Sequence, residues 1–152
     1  MKPIEVGSQA PAIALPDQEK NPIDLSTIEG TKLLSFHPLA WTGVCQRQME
    51  GLELFFDDLA ALGTTAFGIS VDPVPSKKAW ADAIDVVKTR LLSDFWPHGA
   101  VAESLGIFRA SDGISERASV IVDATGVVRY VEVHPIGEVP DLKVLLEELK
   151  KL

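Results

Sequence analysis

The sequence predicts an α/β fold in which a mixed central sheet is flanked by helices and preceded by a β-hairpin. Three observations carry this. Short apolar runs at 32–37, 65–71 and 90–93 alternate with helical stretches, which favours βαβ crossovers and parallel pairing. Two later apolar runs, 118–123 and 127–134, are separated only by Ala124-Thr125-Gly126, a turn that adds an antiparallel hairpin. The chain of 152 residues is 46% hydrophobic and 24% charged, which is enough to bury a core and far from a disordered composition.

The elements follow in order. Ala12-Ile13-Ala14-Leu15 and Pro22-Ile23-Asp24-Leu25 flank the polar turn 17–21 and read as the first hairpin. Lys32 to His37 is an apolar strand that stops at Pro38. Thr42 to Leu62 reads as one helix closed by Gly63. Thr65 to Val71 is a second buried strand, ended by Asp72-Pro73. Ser76 is expected to cap a helix running to about Val87, and Arg90 to Ser93 forms a short third strand. A short helix covers Gly99 to Leu105. After the late hairpin, Asp141 caps a final helix to Leu152, with Leu142, Val144, Leu145, Leu149 and Leu152 near helical spacing. This order fits a thioredoxin-like fold with the N-terminal hairpin as an addition. No repeat, linker or low-complexity stretch interrupts it, so one domain over 1–152 is expected.

Composition excludes several classes of function. The net charge is −8 and no basic stripe occurs, so neither nucleic acid nor an anionic membrane is an expected partner. The start of the chain carries Lys2 but no apolar run behind it, and no stretch approaches the ~18 apolar residues of a membrane span. A cytoplasmic protein is expected. The single cysteine precludes an intrachain disulfide and a multi-thiolate zinc site. His37, His98 and His134 show no ligand spacing, so no metal and no cofactor is expected.

Chemistry concentrates at the start of the first long helix. If Thr42 is the N-cap, Cys45 stands at the third helical position, where free N–H groups and the helix dipole favour an anion. Such placement favours a thiolate over a thiol. Cys45, Met49, Leu52, Phe56 and Leu59 form one apolar face, which turns the sulfur toward the body of the domain and the floor of a pocket. A recessed thiolate is shielded from large electrophiles and open to small ones. On residue type and face alone, a lone cysteine is more often a small buried hydrophobe.

The neighbours decide the matter through a resemblance. Pro38-Leu39-Ala40-Trp41-Thr42-Gly43-Val44-Cys45 matches the peroxiredoxin pattern P-x-x-x-T-x-x-C, which is far more specific than one cysteine. Arg117 in Ser115-Glu116-Arg117-Ala118 resembles the family's arginine just before a strand, and Asp123-Ala124-Thr125-Gly126 its Asp-x-x-Gly turn. The likeness runs from Gly7-Ser8-Gln9-Ala10-Pro11 to the last helix. It is greatest to the AhpE-type one-cysteine branch of the AhpC/TSA superfamily, through Thr42 to Gln46 and Leu91 to Val101.

The resemblance implies a thiol-dependent peroxidase acting on hydrogen peroxide, organic hydroperoxides or peroxynitrite. Cys45 would attack and Thr42 would align the peroxide. Pro38 would wall the pocket, and Arg117 would supply fixed positive charge. It also implies an external reductant: a low-molecular-weight thiol such as mycothiol, a glutaredoxin-like or thioredoxin-like protein, or both. A homodimer, with assembly beyond it open, is implied too. Two positions depart from the pattern. Gln48 stands where many relatives have Glu, read either as a change of charge near the thiolate or as a solvated helix position. His37 stands where relatives have Phe or Tyr, read as a packed strand-end histidine rather than a titrating group. Two rivals remain. A thioltransferase or disulfide reductase usually needs Cys-x-x-Cys, whereas Thr42 occupies the first of those positions here. A non-catalytic thioredoxin-fold binding protein would need no threonine, proline and arginine in register with a cysteine.

Overall fold

The computed structural model describes residues 1–152. A short hairpin pairs β1 (Ala14–Pro16) with β2 (Pro22–Asp24), with Leu15 opposite Ile23. Asp17 makes its turn by accepting from the backbone N–H of Glu19 and Asn21 through Oδ1. The main sheet holds β3 (Thr31–Phe36), β4 (Thr64–Ser70), β5 (Arg90–Ser93), β8 (Arg117–Val122) and β9 (Val128–His134), in the order β5-β4-β3-β8-β9. The first three are mutually parallel, β8 pairs antiparallel with β3, and β9 pairs antiparallel with β8. A mixed sheet of this kind was the expectation. The small pair β6 (Phe108–Arg109) and β7 (Ile114–Ser115) was not read from the sequence, because two-residue strands leave no period-two signal.

Two apolar layers cover the sheet. One joins Leu34, Phe36, Phe67, Ile69 and Val120 to the N-terminal hairpin and to α4 (Ala100–Ser104). The other joins Leu33, Leu91 and Ile121 to helix α1 (Gly43–Leu54), α3 (Val74–Ala83) and α5 (Leu142–Lys150). Alternate strand residues therefore serve opposite faces, as a sheet covered on both sides requires. Gly68 is small for a reason: a Cβ there would meet Met49 Sδ at 2.2 Å. The helix that carries Cys45 lies that close to the sheet.

Several helix boundaries differ from expectation, and α3 (Val74–Ala83) stops short of the expected Val87. The predicted helix 42–62 is broken at Phe55 (φ −95°, ψ 15°), and α2 (Phe56–Ala61) restarts with Asp57 and Asp58 in its first turn, where the helix dipole favours acids. Helix α3 begins two residues before Ser76, with Pro73 as its N-cap; Pro75 is tolerated because a first-turn N–H has no helical partner to lose. Asp141 caps α5 as expected, its side chain accepting from Lys143 N, but the helix ends at Lys150.

Candidate functional site

The site lies outside the C-terminal ends of β3 and β4, where loops leave a parallel sheet and ligands are commonly bound. The loop from His37 to Thr42 joins β3 to α1. Thr42 has the extended backbone of an N-cap (φ −116°, ψ 150°), and its carbonyl accepts from Gln46 N at 2.9 Å. The expected side-chain cap is absent. The Thr42 hydroxyl instead donates to Leu39 O at 2.7 Å, because the loop folds that carbonyl back over it. This leaves the hydroxyl lone pairs free on an exposed residue.

Cys45 occupies the third position of α1 and is fully buried. Met49, Leu52 and Leu59 of its face are buried too, and Phe56 is half-buried. Pro38, in the loop that leads to α1, is buried too. The pocket expected above the sulfur is not a wide one: none of the four principal cavities, 270 to 460 Å³, is lined by Cys45, Pro38, Thr42 or Arg117.

Arg117 arrives from far along the chain. The antiparallel register sets Phe36 opposite Ala118, so Arg117 lies across from the end of β3. The sequence placed it just before a strand; it is the first residue of β8 and is buried. Its Nη1 donates to Cys45 Sγ at 3.3 Å and to Gln48 Oε1 at 2.7 Å. Its Nε and Nη2 both donate to Ile136 O, at 3.0 and 2.7 Å. The planar fork is thus held by a carbonyl on one side and points one corner at the sulfur. The sulfur thus has a fixed cation in hydrogen-bond contact.

Gln48 is not solvated. It is buried and bridges the site, with Nε2 donating to Ser35 Oγ (2.8 Å) and Phe36 O (3.1 Å) while Oε1 accepts from Arg117. A carboxylate here would face the Phe36 carbonyl with no proton to offer.

His37 is fully buried at the strand end and tilts against Trp80, so the packed reading holds. It is also part of a polar group that spacing alone did not disclose. Lys77 of α3 is completely buried, with Nζ 2.9 Å from His37 Nε2 and 2.8 Å from Ser70 Oγ. Burial, then the charges of Lys77 and Arg117, hold the imidazole well below its usual range. Burial likewise pulls the Lys77 ammonium down to about 7, opposed by the negative charge of Asp72 and Cys45. The signal for Lys77 was weak: a lysine in Lys77-Lys78 reads as a solvated helix face. No group of three or more His, Cys, Asp or Glu is disposed to hold a metal ion.

The profile of the AhpC/TSA family matches residues 6–131. The protein called alkyl hydroperoxide reductase E in Mycobacterium tuberculosis is 38% identical over 151 residues, covering 98% of both chains. A putative peroxiredoxin bcp of Haemophilus influenzae is 36% identical over 139 residues, covering 86% of this chain and 87% of that one. Among solved structures, peroxidoxin BcpB from M. tuberculosis superposes with a TM-score of 0.88 at 25% identity over 98% of each chain. The reduced 2-Cys peroxiredoxin of Plasmodium vivax reaches a TM-score of 0.89 at 24% identity, covering 97% of this chain and 81% of that one, a likeness of fold.

Proposed function

Because this chain belongs to the AhpC/TSA family and is a thiol-dependent peroxidase of the peroxiredoxin type, we propose that Cys45 is its peroxide-reducing group and that Thr42, Pro38 and Arg117 serve that sulfur. The Cys45 thiolate attacks the nearer oxygen of the hydroperoxide. The S–O bond forms as the O–O bond breaks, the sulfur is oxidised to sulfenic acid, and the departing oxygen leaves as water or an alcohol once protonated from solvent, or as nitrite from peroxynitrite. Thr42 accepts a hydrogen bond from the peroxide through its free lone pairs. Pro38 keeps water from the reacting atoms. Arg117 holds the thiolate and stabilises charge developing on the oxygens. The observation that carries this reading is the 3.3 Å contact between Arg117 Nη1 and a cysteine in the first turn of a helix. A disulfide reductase is disfavoured because Thr42, three residues before Cys45, is not a second thiol.

The chain has one cysteine, so the sulfenic acid must be resolved from outside. A low-molecular-weight thiol of the mycothiol kind condenses with it, releasing water, and a glutaredoxin-like or thioredoxin-like protein then clears the mixed disulfide. The complete burial of Cys45 supports a small first reductant. Hydrogen peroxide, organic hydroperoxides and peroxynitrite are the candidate substrates. The reading also includes one domain over 1–152, a homodimer and a cytoplasmic location. No helix is long and apolar enough to cross a membrane.

The test is stopped-flow mixing of reduced protein with one equivalent of hydroperoxide at pH 7, followed by trapping. Exposed Trp41, inside the loop, offers the fluorescence signal. Fast oxidation to a trappable sulfenic acid, lost in Cys45→Ser, is expected; the sluggish oxidation of an ordinary thiol would refute the assignment. Mass spectrometry of oxidised protein with candidate thiols then identifies the reductant by the mixed disulfide formed.

A further inference from the structure

The steps above leave a buried cation unused. Lys77 lies behind the peroxide-facing loop with two polar partners, His37 Nε2 and Ser70 Oγ, neither of which is an anion. Burying an ammonium in this way costs several kcal/mol, and a site that keeps one invites a functional reason.

The chain of contacts leads to the loop. With Lys77 donating to Ser70 Oγ, the Ser70 hydroxyl donates to Asp72 Oδ2 at 2.5 Å. That same Oδ2 accepts the backbone N–H of Ala40 at 2.8 Å. Ala40 is followed by Trp41, which sits at φ 68°, a left-handed conformation disfavoured for a large side chain. Strain of this kind persists only where both sides are held. Here Asp72 holds Ala40, the Trp41 indole N–H donates to Ser76 Oγ at 3.1 Å, and the helix holds Thr42.

We propose that Lys77 is a positioning residue for the peroxidase reaction: its buried ammonium, acting through Ser70 and Asp72 on Ala40 N–H, keeps the loop in the shape that presents the Thr42 hydroxyl to the peroxide. This rests on the Cys45 reading above. The charged groups around Lys77 come from every packed element. Asp72 follows β4, Cys45 is on α1, His37 follows β3, and Arg117 of β8 acts on His37. With Lys77 protonated, one cation balances the Asp72 carboxylate. Once it is neutral, the Asp72 carboxylate loses that balance and its grip on Ala40 weakens.

The test compares wild type, Lys77→Met and Ser70→Ala between pH 5.5 and 9. Peroxide oxidation is read by stopped flow and alkylation of Cys45 by iodoacetamide, which needs the thiolate but not the aligned loop. Wild type is expected to lose the ratio of oxidation to alkylation rate as pH rises through about 7. In Lys77→Met the ratio falls about tenfold at pH 6 and no longer depends on pH across that range. Ser70→Ala, which leaves Lys77 in place but cuts the chain, moves the ratio in the same direction. It also keeps the test informative if Lys77→Met fails to fold. Fast wild-type oxidation with an unchanged ratio in a folded variant overturns this inference alone. Slow wild-type oxidation overturns the Cys45 reading and this inference with it.

Discussion

Replacing Arg117 by alanine removes the guanidinium that donates to Cys45 Sγ at 3.3 Å. A full charge pair at that distance is worth roughly 5 kcal/mol at an effective dielectric constant of about 20. That is a ceiling, because the same nitrogen also donates to Gln48 Oε1 and the group is dehydrated. A charge-assisted hydrogen bond contributes about 1.5–3 kcal/mol, the more realistic scale here. Lost from the transition state, this slows oxidation by about 10- to 100-fold at pH 7. The same change strips donors from Ile136 O and Gln48 Oε1, so a stability loss of about 1–3 kcal/mol accompanies it. Arg117→Lys separates the two effects: it keeps the charge but cannot reach sulfur, amide and carbonyl at once, and should fall between wild type and alanine. The assay is stopped-flow oxidation at several peroxide concentrations, with urea unfolding to confirm that each variant is folded. Oxidation within twofold of wild type in folded Arg117→Ala would refute the role given to the contact.

Two further outcomes are expected. Thr42→Val, at an exposed position, should slow peroxide oxidation by about tenfold or more while the melting temperature stays nearly unchanged; an unaltered rate removes Thr42 from the mechanism. The pH dependence of stability should betray Lys77. Its folded value near 7 lies below the ordinary 10.5, so between those limits the unfolded chain binds more protons and stability rises with pH. Relative to Lys77→Met, wild type should gain up to about 1.4 kcal/mol per pH unit between pH 7 and 9 in reducing buffer, read by urea unfolding. A constant difference between the two proteins would show that Lys77 does not titrate there.

Sequence spacing reached some of the site and not the rest for physical reasons. Pro38, Thr42 and Cys45 lie within one loop and one helical turn, so their spacing already implies their geometry. Thr42 was correctly placed at the N-cap by its position, yet its hydroxyl turned to Leu39 O because a short loop can fold back on itself in ways that residue type does not reveal. From its place in the helix alone, Gln48 allows both a charge-altering and a solvated reading. It is buried because Arg117, 69 residues away, gives it a partner.

The sequence by itself determined the order of the five main-sheet strands and of the long helices between them, the antiparallel end of the sheet, and a cysteine at a helix N-terminus after Pro38 and Thr42. Those features follow from local periodicity, turn chemistry and contiguous spacing. Only the tertiary structure decided which distant groups meet the sulfur and the loop around it. The β3–β8 register carries Arg117 to Cys45, and the parallel crossover to β4 and α3 sets Ser70, Asp72 and Lys77 against His37 and Ala40. Strand pairing acts between segments far apart along the chain, and burial is what turns an ordinary lysine into a group that titrates near neutrality.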